Sequence, residues 1–263
     1  MEINKTYTEN CIDTMSRMSN EFVDLVVTSP PYDNLRDYKG FDFDFESIAK
    51  ELYRIIKPGG VVVWVVGDST IKGSESGTSF KQALFFKDVC GFSLYDTMIY
   101  QKIGNPSPQR PEIRYGNCFE YMFVFCKGRK PKSINLINKR NKDRKETIET
   151  RGKVQKNGEM LRGKFKVRLE SPLPNVWLID ATNGARESSG LHPAAFPEII
   201  PKRHIYTWSE KGDLVYDPFM GSGTTAKQAH LLKRDWIGSE VSQEYVAKSN
   251  KRLEKYLTQT TLF

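Results

Sequence analysis

The chain has 263 residues, of which 38% are hydrophobic and 27% charged. That length and balance suit one globular domain, or one domain with an excursion, and exclude a collagen, a disordered tail and a small disulfide scaffold. Forty Lys and Arg against 32 Asp and Glu give +8, but Lys127 to Arg168 alone, 42 residues, holds 16 basic and 4 acidic side chains, so the remainder is slightly acidic. Such a concentrated segment makes a local field that can hold a polyanion such as nucleic acid, and a solvated, mobile insertion has the same composition.

Val23 to Val27 reads as the first strand. Phe45, Ile48, Ala49, Leu52, Ile55 and Ile56 then recur at helical spacing, Pro58-Gly59-Gly60 is expected to stop that helix, and Val61 to Val66 forms the next strand. Strand, helix and strand make a βαβ unit, hence a parallel pair with a right-handed crossover. A helix over 79–89 leads to strands over 95–101 and 121–126. Beyond the basic segment, 197–208 reads as mostly helical, 214–216 as a short strand, 224–232 as a helix, 236–238 as a strand and 243–256 as a final helix. The alternation predicts an α/β domain whose mostly parallel sheet carries helices on both faces. Its two portions, 1–126 and 192–263, must share that sheet, because the 72 C-terminal residues hold too few strands for a stable sheet of their own. The intervening 127–191 is then a basic insertion at the sheet edge. Cys11, Cys90, Cys118 and Cys126 follow no CxxC or zinc-ligand spacing, so no metal is expected. The N-terminus carries no apolar leader, and no apolar run approaches the roughly 20 residues of a membrane span, which points to a cytoplasmic protein with reduced thiols.

Two motifs carry chemistry. Asp217-Pro218-Phe219-Met220-Gly221-Ser222-Gly223-Thr224-Thr225 lies where a strand turns into a helix. Gly221 and Gly223 allow positive φ and close ligand approach, and the helix N-terminus offers amide donors. Glu240, 19 residues after Gly221, ends the next strand, where a carboxylate can accept from both hydroxyls of a ribose. Gly221, Gly223 and Ala226 also read as GxGxxA, the signature of a nicotinamide-dependent oxidoreductase, while the Lys of a P-loop is missing. An Asp ahead of the glycines repels phosphate and attracts an ammonium, and S-adenosylmethionine has the ribose, the ammonium and a sulfonium.

The second motif, Thr28-Ser29-Pro30-Pro31-Tyr32, follows the first strand at its C-terminal end, the edge where open α/β sheets bind ligands. Two prolines fix the backbone and remove two donors, so the Pro30 carbonyl can act as an acceptor. Ser29 adds a side-chain acceptor and Tyr32 a flat face on which a base can stack. Two acceptors on the hydrogens of an exocyclic amine would turn its lone pair toward an electrophile, which is the preorganisation that methyl transfer requires. A rigid proline turn and a Gly-rich helix cap are the structural alternatives for the two motifs.

Together the motifs resemble the amino-methylating DNA methyltransferases of bacterial restriction–modification systems, which modify N4 of cytosine or N6 of adenine. The order, Thr28 to Tyr32 before Asp217 to Thr225 with a variable region between, is similar to the permuted subgroup known as the beta class. The likeness extends to Leu52 to Gly60, Gly67-Asp68-Ser69, Cys118 to Tyr121 with Lys127-Gly128, and His192-Pro193-Ala194-Ala195-Phe196-Pro197. It implies a Rossmann-like S-adenosylmethionine fold, with Ser29, Pro30, Pro31 and Tyr32 holding the base. It also implies a cofactor site of Thr28, Asp217, Pro218, Phe219, Gly221, Ser222, Gly223 and Thr224, with Glu240 on the ribose and His192, Pro193 and Phe196 completing the pocket. Where family members commonly carry Gly-Asp ahead of the first helix, Glu9-Asn10 stands here, which assigns Asn10 to the adenine amine through its side-chain oxygen.

No cysteine follows a proline, so the Pro-Cys nucleophile of cytosine C5 enzymes is missing and direct transfer to the amine is expected. The expected activity is methylation of N4 of cytosine in double-stranded DNA by way of a flipped base. Cytosine is favoured over N6 of adenine because Ser29 stands where adenine enzymes more often place Asp. The rivals are adenine methylation, the oxidoreductase, and a DNA-binding protein with a degenerate methyltransferase fold. In the insertion Lys139, Arg140, Lys142, Arg144 and Lys145 are the expected DNA contacts. Double-stranded DNA and a cognate restriction endonuclease are the expected partners, the protein acting as monomer or homodimer at the bacterial nucleoid. Asp68 reads either as a cofactor neighbour or as a cap, Arg36 and Asp37 as a closing pair or a surface pair, and Trp177 as core rather than base-stacking. His204 and His230 read as helix or surface residues.

Overall fold

The computed structural model describes residues 1–31, 43–103, 114–140, 148–166, 169–180 and 197–257. Within them the chain forms two compact units, 1–135 with 175–257, and Leu136–Pro174.

The larger unit is built on an eight-stranded sheet. In chain order its elements begin with β1 (Lys5–Tyr7), α1 (Cys11–Ser16), β2 (Val23–Thr28), α2 (Phe45–Ile55) and β3 (Ile56–Val66). A small hairpin of β4 (Thr70–Ile71) and β5 (Ser74–Glu75) leads to α3 (Thr78–Leu84), which continues as a π-helical turn over Phe85–Val89. β6 (Ser93–Ile103) and β7 (Phe119–Cys126) follow. The smaller unit holds β8 (Asn138–Arg140), β9 (Ile148–Val154), β10 (Met160–Lys166) and β11 (Glu170–Pro172), after which the first unit resumes with β12 (Val176–Asp180), α4 (Ile199–Trp208), β13 (Leu214–Asp217), α5 (Thr224–Leu231), β14 (Asp235–Ser239) and α6 (Gln243–Leu257).

The strand order is β1-β14-β13-β2-β3-β7-β6-β12, and every neighbouring pair is parallel except the two made by β7. The C-terminal strand β13 sits directly beside β2. Alternation along the central strands fills two cores. Val62, Trp64 and Val66 pack with α1, α2 and α3, while Val61, Val63 and Val65 pack with α4, α5 and α6. Burial on both faces is why these strands read as continuous apolar runs.

Pro58-Gly59-Gly60 does not act as the helix stop. α2 ends at Ile55, and the three residues lie inside β3 as an irregularity in its pairing with β2. Gly59 takes φ +75°, and Gly60 leaves room for the Asp24 carbonyl, which would lie 2.8 Å from an added Cβ. The helix over 79–89 is present as α3 and its π-helical continuation. β1 and β12 were not foreseen, and Trp177 of β12 is a core residue.

In the smaller unit β9 and β10 form an antiparallel hairpin with Val154 opposite Met160, and β8 pairs antiparallel with β11. The unit carries 12 basic and 5 acidic side chains. Part of the basic run lies outside it. Lys132 of the larger unit pairs with Asp24 at 2.5 Å and Asp213 at 3.0 Å, and Lys127 donates to the Ile56 carbonyl at 2.9 Å.

Candidate active site

The two motifs meet at one edge of the sheet, where β2, β13 and β14 end. Thr28, the last residue of β2, donates its hydroxyl to Asp217 Oδ1 at 2.7 Å, although the two are 189 residues apart in sequence. The Phe219 amide donates to the same oxygen at 3.0 Å. Asp217 is 1% exposed. Burial pushes its carboxyl up to about 6; the hydrogen bonds from Thr28 and Phe219 resist that shift and the nearby Glu240 charge adds to it.

The glycine loop is stitched to the end of β14. The Met220 amide donates to the Ser239 carbonyl at 2.8 Å and the Gly221 amide to Glu240 Oε2 at 3.0 Å. Ser242 donates its amide to Glu240 Oε1 at 2.9 Å, so each carboxylate oxygen keeps a lone pair for a further donor such as a ribose hydroxyl. Burial raises the Glu240 carboxyl above its ordinary range. Gly221 and Gly223 take φ +51° and +76°, and Gly223 is the left-handed residue that opens α5. A side chain at Gly223 would also collide with Ser249 Oγ. Ser222, Thr224 and Thr225 are buried, as is Pro218, and Phe219 is half-buried, its ring edge-on to Phe43 with centroids 5.7 Å apart.

Ser29 and Pro31 are half-buried and Pro30 is buried directly after β2. On the other side of the edge Asn10 caps α1, its Oδ1 accepting from the Ile12 amide at 2.9 Å. The next residue, Cys11, has its thiol pushed up to about 12, chiefly by burial and in smaller part by the charges of Asp13 and Asp217. The structure therefore brings together Asn10, Thr28, Ser29, Asp217, Gly221 and Glu240. Tyr32, His192, Pro193 and Phe196 lie outside the described residues, as do Arg36, Asp37, Lys142, Arg144 and Lys145. Lys139 and Arg140 are exposed on β8 of the smaller unit.

Other candidates resolve into structural roles. Asp68 caps α3, accepting from the Ser79 amide at 2.9 Å and from Ser76 Oγ at 3.1 Å. His204 is buried, its pKa lowered to about 3 by burial and the Arg203 charge, and it accepts from Trp208 Nε1 at 3.1 Å. His230 lies on α5 beside the Tyr256 carbonyl. Sequence reasoning missed Arg252, which donates to the Ser222 carbonyl and Thr224 Oγ1 of the glycine loop, and Glu198, which accepts from Arg252. The signal was there: Val246, Ser249, Arg252 and Leu253 share the buried stripe of α6, and an arginine on such a stripe needs partners.

Among families of known proteins, a profile described as DNA methylase, that of the N6/N4 methyltransferases, matches residues 23–251. The chain belongs to this DNA methylase family. The methylase is 50% identical over 249 residues to the orphan methyltransferase M.BamHII of Bacillus amyloliquefaciens, covering 89% of this chain and 90% of that one. It is 29% identical over 277 residues to the type II methyltransferase M.PvuII of Proteus hauseri, 92% and 81% of the two chains. The solved structure of the cytosine-N4-specific PvuII DNA methyltransferase matches with a TM-score of 0.70 at 23% identity, over 97% of this chain and 89% of that one. The M1.HpyAVI–SAM complex matches with 0.63 at 21%, over 95% and 98%. The methylase thus shares an α/β fold with DNA methyltransferases, and its family is one of DNA amino-methylation.

Proposed function

We propose that the chain is a site-specific DNA methyltransferase that moves the methyl group of S-adenosylmethionine to the exocyclic N4 amine of cytosine in double-stranded DNA, with the target base flipped out of the duplex. The hydrogen bond from Thr28 to Asp217 carries this reading, because it joins the strand that presents Ser29 and Pro30 to the glycine loop at one sheet edge.

The donor set fits the cofactor. Asp217 and Glu240 bring acidic groups to the loop, whereas Lys227 and Arg252 direct their charge to Glu198 behind it. A cation with a ribose suits that arrangement and a pyrophosphate does not. Glu240 would take the ribose hydroxyls, Asn10 the adenine amine, and Thr28, Asp217 to Phe219 and Gly221 to Thr224 the methionine side, with His192, Pro193 and Phe196 completing the pocket. When bound, S-adenosylmethionine would supply the methyl group, its S–CH3 bond breaking to a neutral thioether as the N–CH3 bond forms, and the methylated amine would release one proton to solvent. Ser29 Oγ and the Pro30 carbonyl accept the two hydrogens of the target amine, turning its lone pair out of the ring plane, while Pro31 holds the turn rigid and Tyr32 stacks on the base.

The cytosine-N4 specificity of the PvuII enzyme and the Ser29 position both support cytosine. The basic unit Leu136–Pro174, with Lys139, Arg140, Lys142, Arg144 and Lys145, is proposed to contact DNA and select the site. A restriction–modification setting, which the type II relative supports, is proposed with the bacterial cytoplasm as its location. Among the described residues no helix is long and apolar enough to cross a membrane. The test is to methylate plasmid DNA with the purified protein, digest it to nucleosides and weigh the products. N4-methylcytosine is expected, and N6-methyladenine would overturn the choice of base while leaving amino-methylation standing.

A further inference from the structure

Arg252 is 5% exposed on the inner stripe of α6. Its Nη1 donates to the Ser222 carbonyl at 2.9 Å and to Thr224 Oγ1 at 3.1 Å, both in the glycine loop. Its Nη2 donates to Glu198 Oε1. Glu198 also accepts from Lys227 Nζ at 2.8 Å and, through Oε2, from Gln228 Nε2 at 2.9 Å. It stands two residues after Phe196 in sequence, immediately beyond the His192–Phe196 stretch.

A buried guanidinium is costly unless its donors are met, and an apolar residue would satisfy the packing of α6 by itself. Arg252 instead divides its two terminal nitrogens between two different chain segments, with Nε left without a partner among the described residues, a division that the single ammonium of Lys does not reproduce. We propose that Arg252 is a positioning residue for the cofactor site. Through Ser222 and Thr224 it fixes the glycine loop, and through Glu198 it ties that loop to the start of α4. The inference rests on the reading of the glycine loop as the S-adenosylmethionine site.

The experiment titrates full-length wild type, Arg252→Met, Arg252→Lys and Glu198→Gln with S-adenosylhomocysteine in a calorimeter, well below each variant's melting temperature. Plasmid-fragment binding, and KM and kcat for methylation, are measured alongside. Arg252→Met is expected to weaken S-adenosylhomocysteine about tenfold or more, the scale of removing hydrogen bonds to a charged group. Arg252→Lys should fall between it and wild type. KM for S-adenosylmethionine should rise in step, with kcat at saturation and DNA affinity changed by less than about threefold, a split that general loss of structure does not produce. Should Arg252→Met fail to fold, the two milder variants decide. If both bind S-adenosylhomocysteine as wild type does, the positioning role is wrong. A wild type that does not bind it overturns the cofactor reading itself, and the proposal with it.

Discussion

Asp24 and Asp217 are buried carboxylates that clamp the same two strands from opposite ends. Asp24, near the start of β2, accepts from the Leu214 amide at the start of β13 at 2.9 Å, and Asp217, at the end of β13, accepts from Thr28 at the end of β2. At the first end burial works against the charge, but hydrogen bonds from Lys132, Lys57 and the Leu214 amide hold the Asp24 carboxyl below its ordinary range. At the second end no Lys or Arg pairs with Asp217 among the described residues, and its carboxyl rises to about 6. The contrast separates two uses of one chemical group. At one end two lysines offset the buried carboxylate, and at the other no Lys or Arg among the described residues does, an arrangement that favours a cationic ligand once Asp217 is ionised.

That difference can be broken from either side. The largest effect on activity belongs to the ligand edge. Ser29→Ala should lower kcat on the order of 100-fold, the scale of losing one preorganised partner, with S-adenosylhomocysteine affinity unchanged in calorimetry. An equal loss of cofactor affinity would show that Ser29 serves the fold rather than the base. At the Asp24 end Asp24→Ala should cost roughly 2–3 kcal/mol in denaturant unfolding, since it strands the buried Leu214 amide and removes the partner of Lys57 and one of the two partners of Lys132.

Asp217→Asn should behave differently, and the sign of its pH dependence sharpens the point. A carboxyl raised from 3.8 to about 6 contributes stability that is full below pH 4 and is lost as pH rises through 6. Asp24, lowered, contributes above pH 4 and loses that contribution as pH falls through its depressed value. Thermal melting of wild type between pH 4 and 7 should therefore decline relative to Asp217→Asn, and a parallel pair of curves would remove the assignment. The smallest expected effect concerns the basic unit. Neutralising Lys139 and Arg140 should weaken DNA binding by a few-fold, reduce the salt slope by about one for each phosphate left without its cation, and leave cofactor affinity intact.

Much of this architecture could be read along the chain, because central strands buried on both faces write themselves as apolar runs and α2 as a 3.6-residue stripe. β1 is three residues of mixed polarity, and β12 buries only Trp177 and Ile179, so neither rose above the loops around it. The motifs placed Ser29, Asp217 and Glu240 at strand ends by local pattern alone. The bond between Thr28 and Asp217 spans 189 residues, which no local pattern shows; only the family resemblance set the two in one cofactor site. The basic run was visible as composition, but composition could not show that Lys132 belongs to Asp24 and Asp213 rather than to a DNA-facing surface.

The central claim, that the carboxyl edge holds an uncompensated charge for a cationic cofactor, is tested most directly by titrating wild type and Asp217→Asn with S-adenosylmethionine in a calorimeter between pH 5 and 7. Wild-type affinity should strengthen as pH rises through about 6, and the variant should show a flatter, weaker profile. Affinity independent of pH, or a variant that binds more tightly at pH 7, would contradict it.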